Sequence, residues 1–187
     1  MIKGFFFDLD GTLVNTYRAD FQAYRDAILE VSNIIISEEM FSKTHGQDMI
    51  VKLRALAPGI SGDEVHRIAE AKKKYYQKYV GSTKVNESLV QFIGSFAENT
   101  VIVLVTTAKR DNATKVLQEH NLEHYFTYMV FGDDVKNRKP HPEPYLKALE
   151  LSGLSSHEVI VFEDTQSGIQ SAEAAGLAVI HVKEFTA

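Results

Sequence analysis

Two carboxylates separated by one residue end the first apolar run of the chain, in Phe5-Phe6-Phe7-Asp8-Leu9-Asp10-Gly11-Thr12-Leu13. Side chains at i and i+2 of a strand point the same way, so Asp8 and Asp10 are expected to face one space at its C-terminal end. Gly11 lets the backbone turn at once. Like charges in a crevice raise each other's pKa, which makes such a pair costly to keep for packing alone. A divalent cation removes that cost, and a reaction gives the pair a purpose.

The same placement recurs. Apolar runs end in Thr106-Thr107, in Gly132-Asp133-Asp134 and in Glu163-Asp164, and Lys139 lies in the loop Arg138-Lys139-Pro140-His141-Pro142. Acids, a hydroxyl and a lysine converging on one mouth suit a metal-bound phosphate. A carboxylate that attacks phosphorus splits one hard step into two, and Asp8 is assigned that role. Asp10 is placed to protonate the leaving alkoxide and later to deprotonate water. Mg2+ would offset the repulsion between carboxylate and phosphate, with Asp8 and Asp164 as direct ligands and Glu163 bound directly or through water. Lys139 supplies fixed positive charge, and the Thr106 hydroxyl with nearby backbone N–H groups, Thr107 among them, supplies donors for the equatorial oxygens.

The elements that must position these groups follow from periodicity. Ile2–Phe7, Val101–Val105, Tyr128–Phe131, Val159–Phe162 and Ala178–Ile180 are short apolar runs, as expected of strands in a parallel sheet. Helical stripes alternate with them, at Leu89, Ile93 and Phe96, at Val116 and Leu117, at Tyr145 and Leu149, and at Ile169, Ala172 and Ala175. The pattern predicts a Rossmann-like α/β core with right-handed crossovers and ligands beyond the strands' C-terminal ends. Residues 16–82 read differently, as helices only. Phe21, Tyr24, Ile28 and Val31 form one stripe, Ser37-Glu38-Glu39 starts a second helix, Ile50, Leu53 and Leu56 mark a third, and Ser61 with Glu64 is a capping-box pattern opening a fourth. Lys72-Lys73-Lys74 inside that last helix reads as a solvated face. The predicted organisation is a core of residues 1–15 plus 83–187 carrying an inserted all-α helical domain at 16–82.

Asp8-Leu9-Asp10-Gly11-Thr12-Leu13 resembles the D-x-D-G-T-L signature of the haloacid dehalogenase-like (HAD) hydrolase superfamily. Three further stretches resemble its other motifs in order: Val103-Leu104-Val105-Thr106-Thr107, Lys139-Pro140-His141-Pro142-Glu143-Pro144-Tyr145, and Phe162-Glu163-Asp164-Thr165-Gln166-Ser167-Gly168-Ile169. The resemblance implies a Mg2+-dependent hydrolase of small phosphorylated metabolites working through an aspartyl phosphate, with the helical insertion as a substrate-selecting cap. It also implies that the backbone carbonyl of Asp10 completes the metal shell. His45-Gly46 either meets substrate, as the family's cap loop does, or is a simple helix break. Asn15 stands where many relatives have Asp. Retention of Asp10 favours a phosphatase over the dehalogenase and phosphonatase branches. Asp20, Met49 and Ala108 stand where β-phosphoglucomutase has His, Arg and Ser, which argues against a phosphomutase. The third reading is a catalytically silent binding module, against which the full set of acids and the lysine counts.

Composition narrows the field. The 187 residues are 44% hydrophobic and 24% charged, with a net charge of −5, so no basic face for nucleic acid is signalled. The chain has no Cys, which excludes disulfides, thiolate metal sites and a cysteine nucleophile. The apolar run at the N-terminus stops at Asp8, short of a signal sequence, and no stretch approaches the roughly 20 residues of a membrane span. The expectation is a cytoplasmic protein, monomeric or weakly homodimeric, with no membrane partner.

Overall fold

The computed structural model describes residues 1–44, 47 and 49–183. The strands are β1 (Gly4–Phe7), β2 (Val14–Asn15), β3 (Lys84–Val85), β4 (Val101–Val105), β5 (Tyr128–Val130), β6 (Val159–Glu163) and β7 (Ala178–His181). The helices are α1 (Tyr17–Ser32), α2 (Glu38–Ser42), α3 (Met49–Leu56), α4 (Gly62–Tyr79), α5 (Glu87–Phe96), α6 (Arg110–Glu119), α7 (Glu143–Ser152) and α8 (Gln166–Ala174). They fall into two compact units, one of Met1–Asn15 with the chain from Lys84 onward, the other Thr16–Thr83.

In the first unit, five strands form a parallel sheet in the order β5-β4-β1-β6-β7. The chain steps outward from β1 through β4 to β5, then crosses back to β6 and β7. The reversal falls at β1, and such a switch point opens a crevice at the carboxyl ends of the central strands. All four residues of β1 are buried. Phe5 meets Phe92 and Phe96 of α5 edge-on at 5.0 and 5.6 Å, and Phe7 stacks on Phe162 at 4.7 Å. Phe6 points to the opposite face, into a core with Val103, Val161, Tyr145 and Ala148. Helices thus cover both faces of β1, and each buried Phe contributes about 2–3 kcal/mol. The fold is the Rossmann-like parallel sheet that the alternating runs predict. A two-residue antiparallel ribbon was not anticipated: β2 pairs with β3 through Val14 with Val85 and Asn15 with Lys84. Two residues carry no periodicity from which to read a strand.

Among its described residues the second unit holds helices and turns but no strand. The Ser37 hydroxyl accepts the N–H of Met40, and Ser61 with Glu64 closes a full capping box on α4. Its core includes Tyr24, Ile28, Phe41, Leu53, Leu56 and Ile68. Lys72 corrects the expectation of a solvated lysine run. Lys73 and Lys74 are exposed, but the Lys72 ammonium lies 2.6 Å from Asp20 Oδ1 and 4.5 Å from the Tyr76 ring centre. Lys52 is buried on the other side of Asp20 at 3.6 Å. The pairing partner sits on another helix, which no local pattern reveals.

Burial would raise the Asp20 carboxyl, but Lys72 and Lys52 outweigh it and hold the group below its ordinary value of 3.8. A carboxyl depressed in the folded state contributes stability above its unfolded pKa and loses it as pH falls through the folded one. Asp20→Asn is therefore expected to lower stability by about 1–3 kcal/mol at neutral pH, with the difference from wild type shrinking below about pH 4. Urea unfolding followed by far-UV circular dichroism at both pH values measures this. A difference independent of pH would count against the ion pair.

Candidate active site

Asp8 directly follows β1, and its N–H extends the ladder by donating to Phe162 O at 3.0 Å. The side chain is buried at the mouth of the sheet. The loop after it is tight, because Leu9 O accepts the N–H of both Leu13 and Val14, at 3.0 and 2.9 Å. Gly11 holds φ +92°, and a Cβ there would lie 2.1 Å from Asp164 Oδ2. Glycine thus serves two ends at once, the left-handed turn and the close approach of the Asp164 carboxylate. The Thr12 hydroxyl donates to the other oxygen, Asp164 Oδ1, at 3.2 Å.

Lys139 joins three strand ends. Its ammonium donates to Asp8 Oδ1 at 2.7 Å, to Glu163 Oε1 at 2.5 Å and to Val105 O at 2.8 Å. All three ammonium protons are spent on acceptors at the ends of β1, β4 and β6. The loop carrying Lys139 is tied to α7 by the Glu143 carboxylate, which accepts the N–H groups of Lys136 and Asn137 at 2.7 and 2.9 Å. Glu163 is fully buried. Its Oε1 also accepts the Tyr145 hydroxyl at 3.0 Å, while Oε2 accepts Asp164 N at 3.1 Å and Thr165 N and Oγ1 at 3.3 Å.

Oxygens of Asp8, Glu163 and Asp164 lie within 4.8 Å of one another. Three carboxylates face one ammonium here, and a divalent cation would balance the charge. An all-oxygen carboxylate set fits a hard cation such as Mg2+. Burial pushes the Asp8 carboxyl up, with Glu163, Asp164 and Asp10 pushing the same way against Lys139. Burial would lower the Lys139 ammonium, but Asp8 foremost holds it up, so it stays charged. Burial raises Tyr145 well above its usual range, and it remains a donor.

Thr106 is buried beyond β4, and its Oγ1 accepts the Ala108 N–H at 3.0 Å. That leaves the hydroxyl proton to donate. Thr107 beside it is exposed. Asp10 is half-buried in the turn after Asp8. His45 and Gly46 lie outside the described residues. Asp133 and Asp134, expected to join the mouth, serve the loops instead. Asp133 accepts the Arg110 N–H at the start of α6, and Asp134 holds the Arg110 guanidinium at 2.7 and 2.9 Å and the Phe131 N–H at 3.0 Å. Three side chains in contact with the cluster had no role in the sequence reading, Thr12, Tyr145 and Thr165. All three lie inside stretches singled out there, and a hydroxyl at a fixed place in such a stretch was the available signal.

A parallel sheet with acids, a lysine and a hydroxyl gathered at its carboxyl edge defines a Rossmann-like hydrolase core. The haloacid dehalogenase-like hydrolase profile matches residues 5–182, and the chain belongs to that family. A phosphorylated carbohydrates phosphatase of Thermotoga maritima is 32% identical over 180 residues, covering 94% of this chain and 82% of that protein. A crystal structure of a proposed β-phosphoglucomutase, also from Thermotoga maritima, is 29% identical with a TM-score of 0.74, covering 99% and 88% of the two chains. A predicted phosphoglycolate phosphatase from Haemophilus somnus shares the fold at a TM-score of 0.90 and 22% identity, over 98% and 86%. No helix among the described residues is long and apolar enough to cross a membrane.

Proposed function

We propose that this chain is a Mg2+-dependent phosphatase that hydrolyses a small phosphomonoester through an aspartyl phosphate. The observation that carries the reading is the Lys139 ammonium 2.7 Å from Asp8 Oδ1, inside a cluster of acids that can hold a cation. The similar phosphatase from Thermotoga maritima supports it. Asp8 and Asp164 would hold the metal, with the Asp10 carbonyl completing the protein's share as in the family and Glu163 entering directly or through water. When bound, Mg2+ supplies charge neutralisation and orientation of the phosphoryl oxygens.

An Asp8 oxygen attacks phosphorus as the ester P–O bond breaks, and the Asp10 carboxyl gives its proton to the departing alkoxide. Water then attacks the aspartyl phosphate, Asp10 takes up the water proton, and inorganic phosphate leaves with Asp8 restored. Lys139, Thr106 and the backbone N–H groups after Thr106, Thr107 included, face the charge that develops on the equatorial oxygens. The inserted helical unit is assigned the role of the family's substrate-selecting cap. The same reading places the protein in the cytoplasm, acting on a soluble metabolite as a monomer or weak homodimer.

A phosphomutase is the second reading, favoured by the similar Thermotoga maritima structure. Asp20, Met49 and Ala108 count against it. A phosphate-release screen over sugar phosphates, 2-phosphoglycolate and nucleoside monophosphates tests both. Turnover is expected on at least one compound, to fall about tenfold or more with chelator, and to return with added Mg2+. Isomerisation of a hexose 1-phosphate that outpaces phosphate release would replace the phosphatase reading with the mutase. Turnover of no kind would leave the silent binding module.

A further inference from the structure

Glu163 shares the acid cluster with Asp8 and Asp164, yet its bonding differs from theirs. An ionised carboxylate offers about four lone-pair sites. Five donors already converge on this one: Lys139 and the Tyr145 hydroxyl on Oε1, and two N–H groups and the Thr165 hydroxyl on Oε2. The Thr165 hydroxyl accepts the Gly168 N–H at 3.1 Å, which directs its own proton to Glu163. The carboxylate is therefore saturated and fully buried. Asp164 differs in keeping a half-exposed position beside Asp8.

We propose that Glu163 is a fixed counter-charge for Lys139 and not a direct ligand of the metal, and that Tyr145 is a positioning residue that acts through it. By occupying Oε1 next to the ammonium, the Tyr145 hydroxyl stops Glu163 from swinging toward the cation site. The carboxylate in turn holds Lys139 at one height against Asp8, where the entering phosphoryl oxygens meet its charge. Tyr145 also lies beneath the ammonium, its ring centre 5.1 Å from Lys139 Nζ. Phe at this position keeps the ring and the packing but frees one lone pair of Oε1.

This inference rests on the phosphatase reading for its kinetic arm and stands apart from it in its binding arm. In the kinetic arm, Tyr145→Phe is expected to lower kcat about tenfold with KM within about twofold of wild type, the scale on which partners behind contacting groups act. Tyr145→Phe combined with Glu163→Gln is expected to fall no further than Glu163→Gln alone, since one acts through the other. A purely structural tyrosine would instead lower the unfolding midpoint and leave kcat unchanged, and losses that multiply would place Tyr145 outside the Glu163 link. Either result overturns the proposal.

In the binding arm, calorimetric titration with Mg2+ alone is expected to give a Kd for Tyr145→Phe and Glu163→Gln within about threefold of wild type, and for Asp164→Asn a Kd raised about tenfold or more. Equal weakening by Glu163→Gln and Asp164→Asn would make Glu163 a ligand and overturn the proposal. A wild type that binds Mg2+ but hydrolyses no phosphomonoester would defeat the phosphatase reading alone, and the titrations would still decide the role of Glu163.

Discussion

Asp8→Asn is expected to lower phosphate release at least about 10⁴-fold, the scale seen when a covalent nucleophile is removed from an otherwise intact site. The change is nearly isosteric and swaps one carboxylate oxygen for an amide nitrogen. The amide does not form the acyl phosphate, so the two-step route closes. The fold should not suffer in proportion. Lys139 keeps Glu163 Oε1 at 2.5 Å and Val105 O at 2.8 Å as acceptors, and the Asn oxygen remains available as a third. Asp8 is also expensive to ionise where it lies, because burial and three neighbouring carboxylates work against its charge. Losing that charge relieves the crowding, so the unfolding free energy should stay within about 1 kcal/mol of wild type. A dead enzyme of near-normal stability is the expected pair of results. Retention of more than about one hundredth of the wild-type rate would remove Asp8 from the role of nucleophile.

What could be read from the sequence was what local pattern encodes. The strands betray themselves because apolar runs of β-branched and aromatic residues stop abruptly at acids, and a parallel sheet must collect those ends on one edge. The capping box at Ser61 and Glu64 is likewise a four-residue signal, and it forms as written. Asp8, Lys139, Glu163 and Asp164 come from two such ends and one loop. The structure sets them within hydrogen-bonding or ligand range of one another. What escaped notice depends on partners distant in the chain. Thr12 bonds Asp164 across 152 positions, and Lys72 is drawn inward by Asp20. Asp133 and Asp134 have the same residue type and strand-end position as the clustered acids. Arg110, which opens α6, claims both, and nothing in Gly132-Asp133-Asp134 announces that. A strand-end acid is thus a candidate for the site until the neighbouring cations have been counted.

Gly168→Ala should do more damage than a methyl added at Gly11, the other glycine packed against the Glu163-Asp164 pair. A Cβ at Gly168 would lie 1.9 Å from Glu163 Oε1, 2.0 Å from Cδ and 2.1 Å from Oε2. The carboxylate occupies the space that any other residue's side chain would need. Alanine favours a helix over glycine by about 1 kcal/mol, but overlap this deep forces movement. Glu163 is no flexible tip able to swing clear, since five hydrogen bonds hold it. If the carboxylate leaves, Lys139 and Tyr145 lose a buried partner, and breaking a buried pair costs about 3–5 kcal/mol. If the start of α8 shifts instead, Asp164 moves with it and the cation site opens. Either way the steric cost outweighs the gain in propensity. The expected result is a loss of about 2–4 kcal/mol in unfolding free energy and of about 100-fold in phosphate release. Gly62→Ala is the matched control, at the first position of α4, where a Cβ would meet nothing within 4 Å. It should be neutral, or stabilising by up to about 1 kcal/mol. Chemical denaturation and phosphate release measured on both variants decide the matter. A Gly168→Ala protein as stable and active as Gly62→Ala would mean that Glu163 does not rest against the first turn of α8, and the account of Lys139 built on it would fall too.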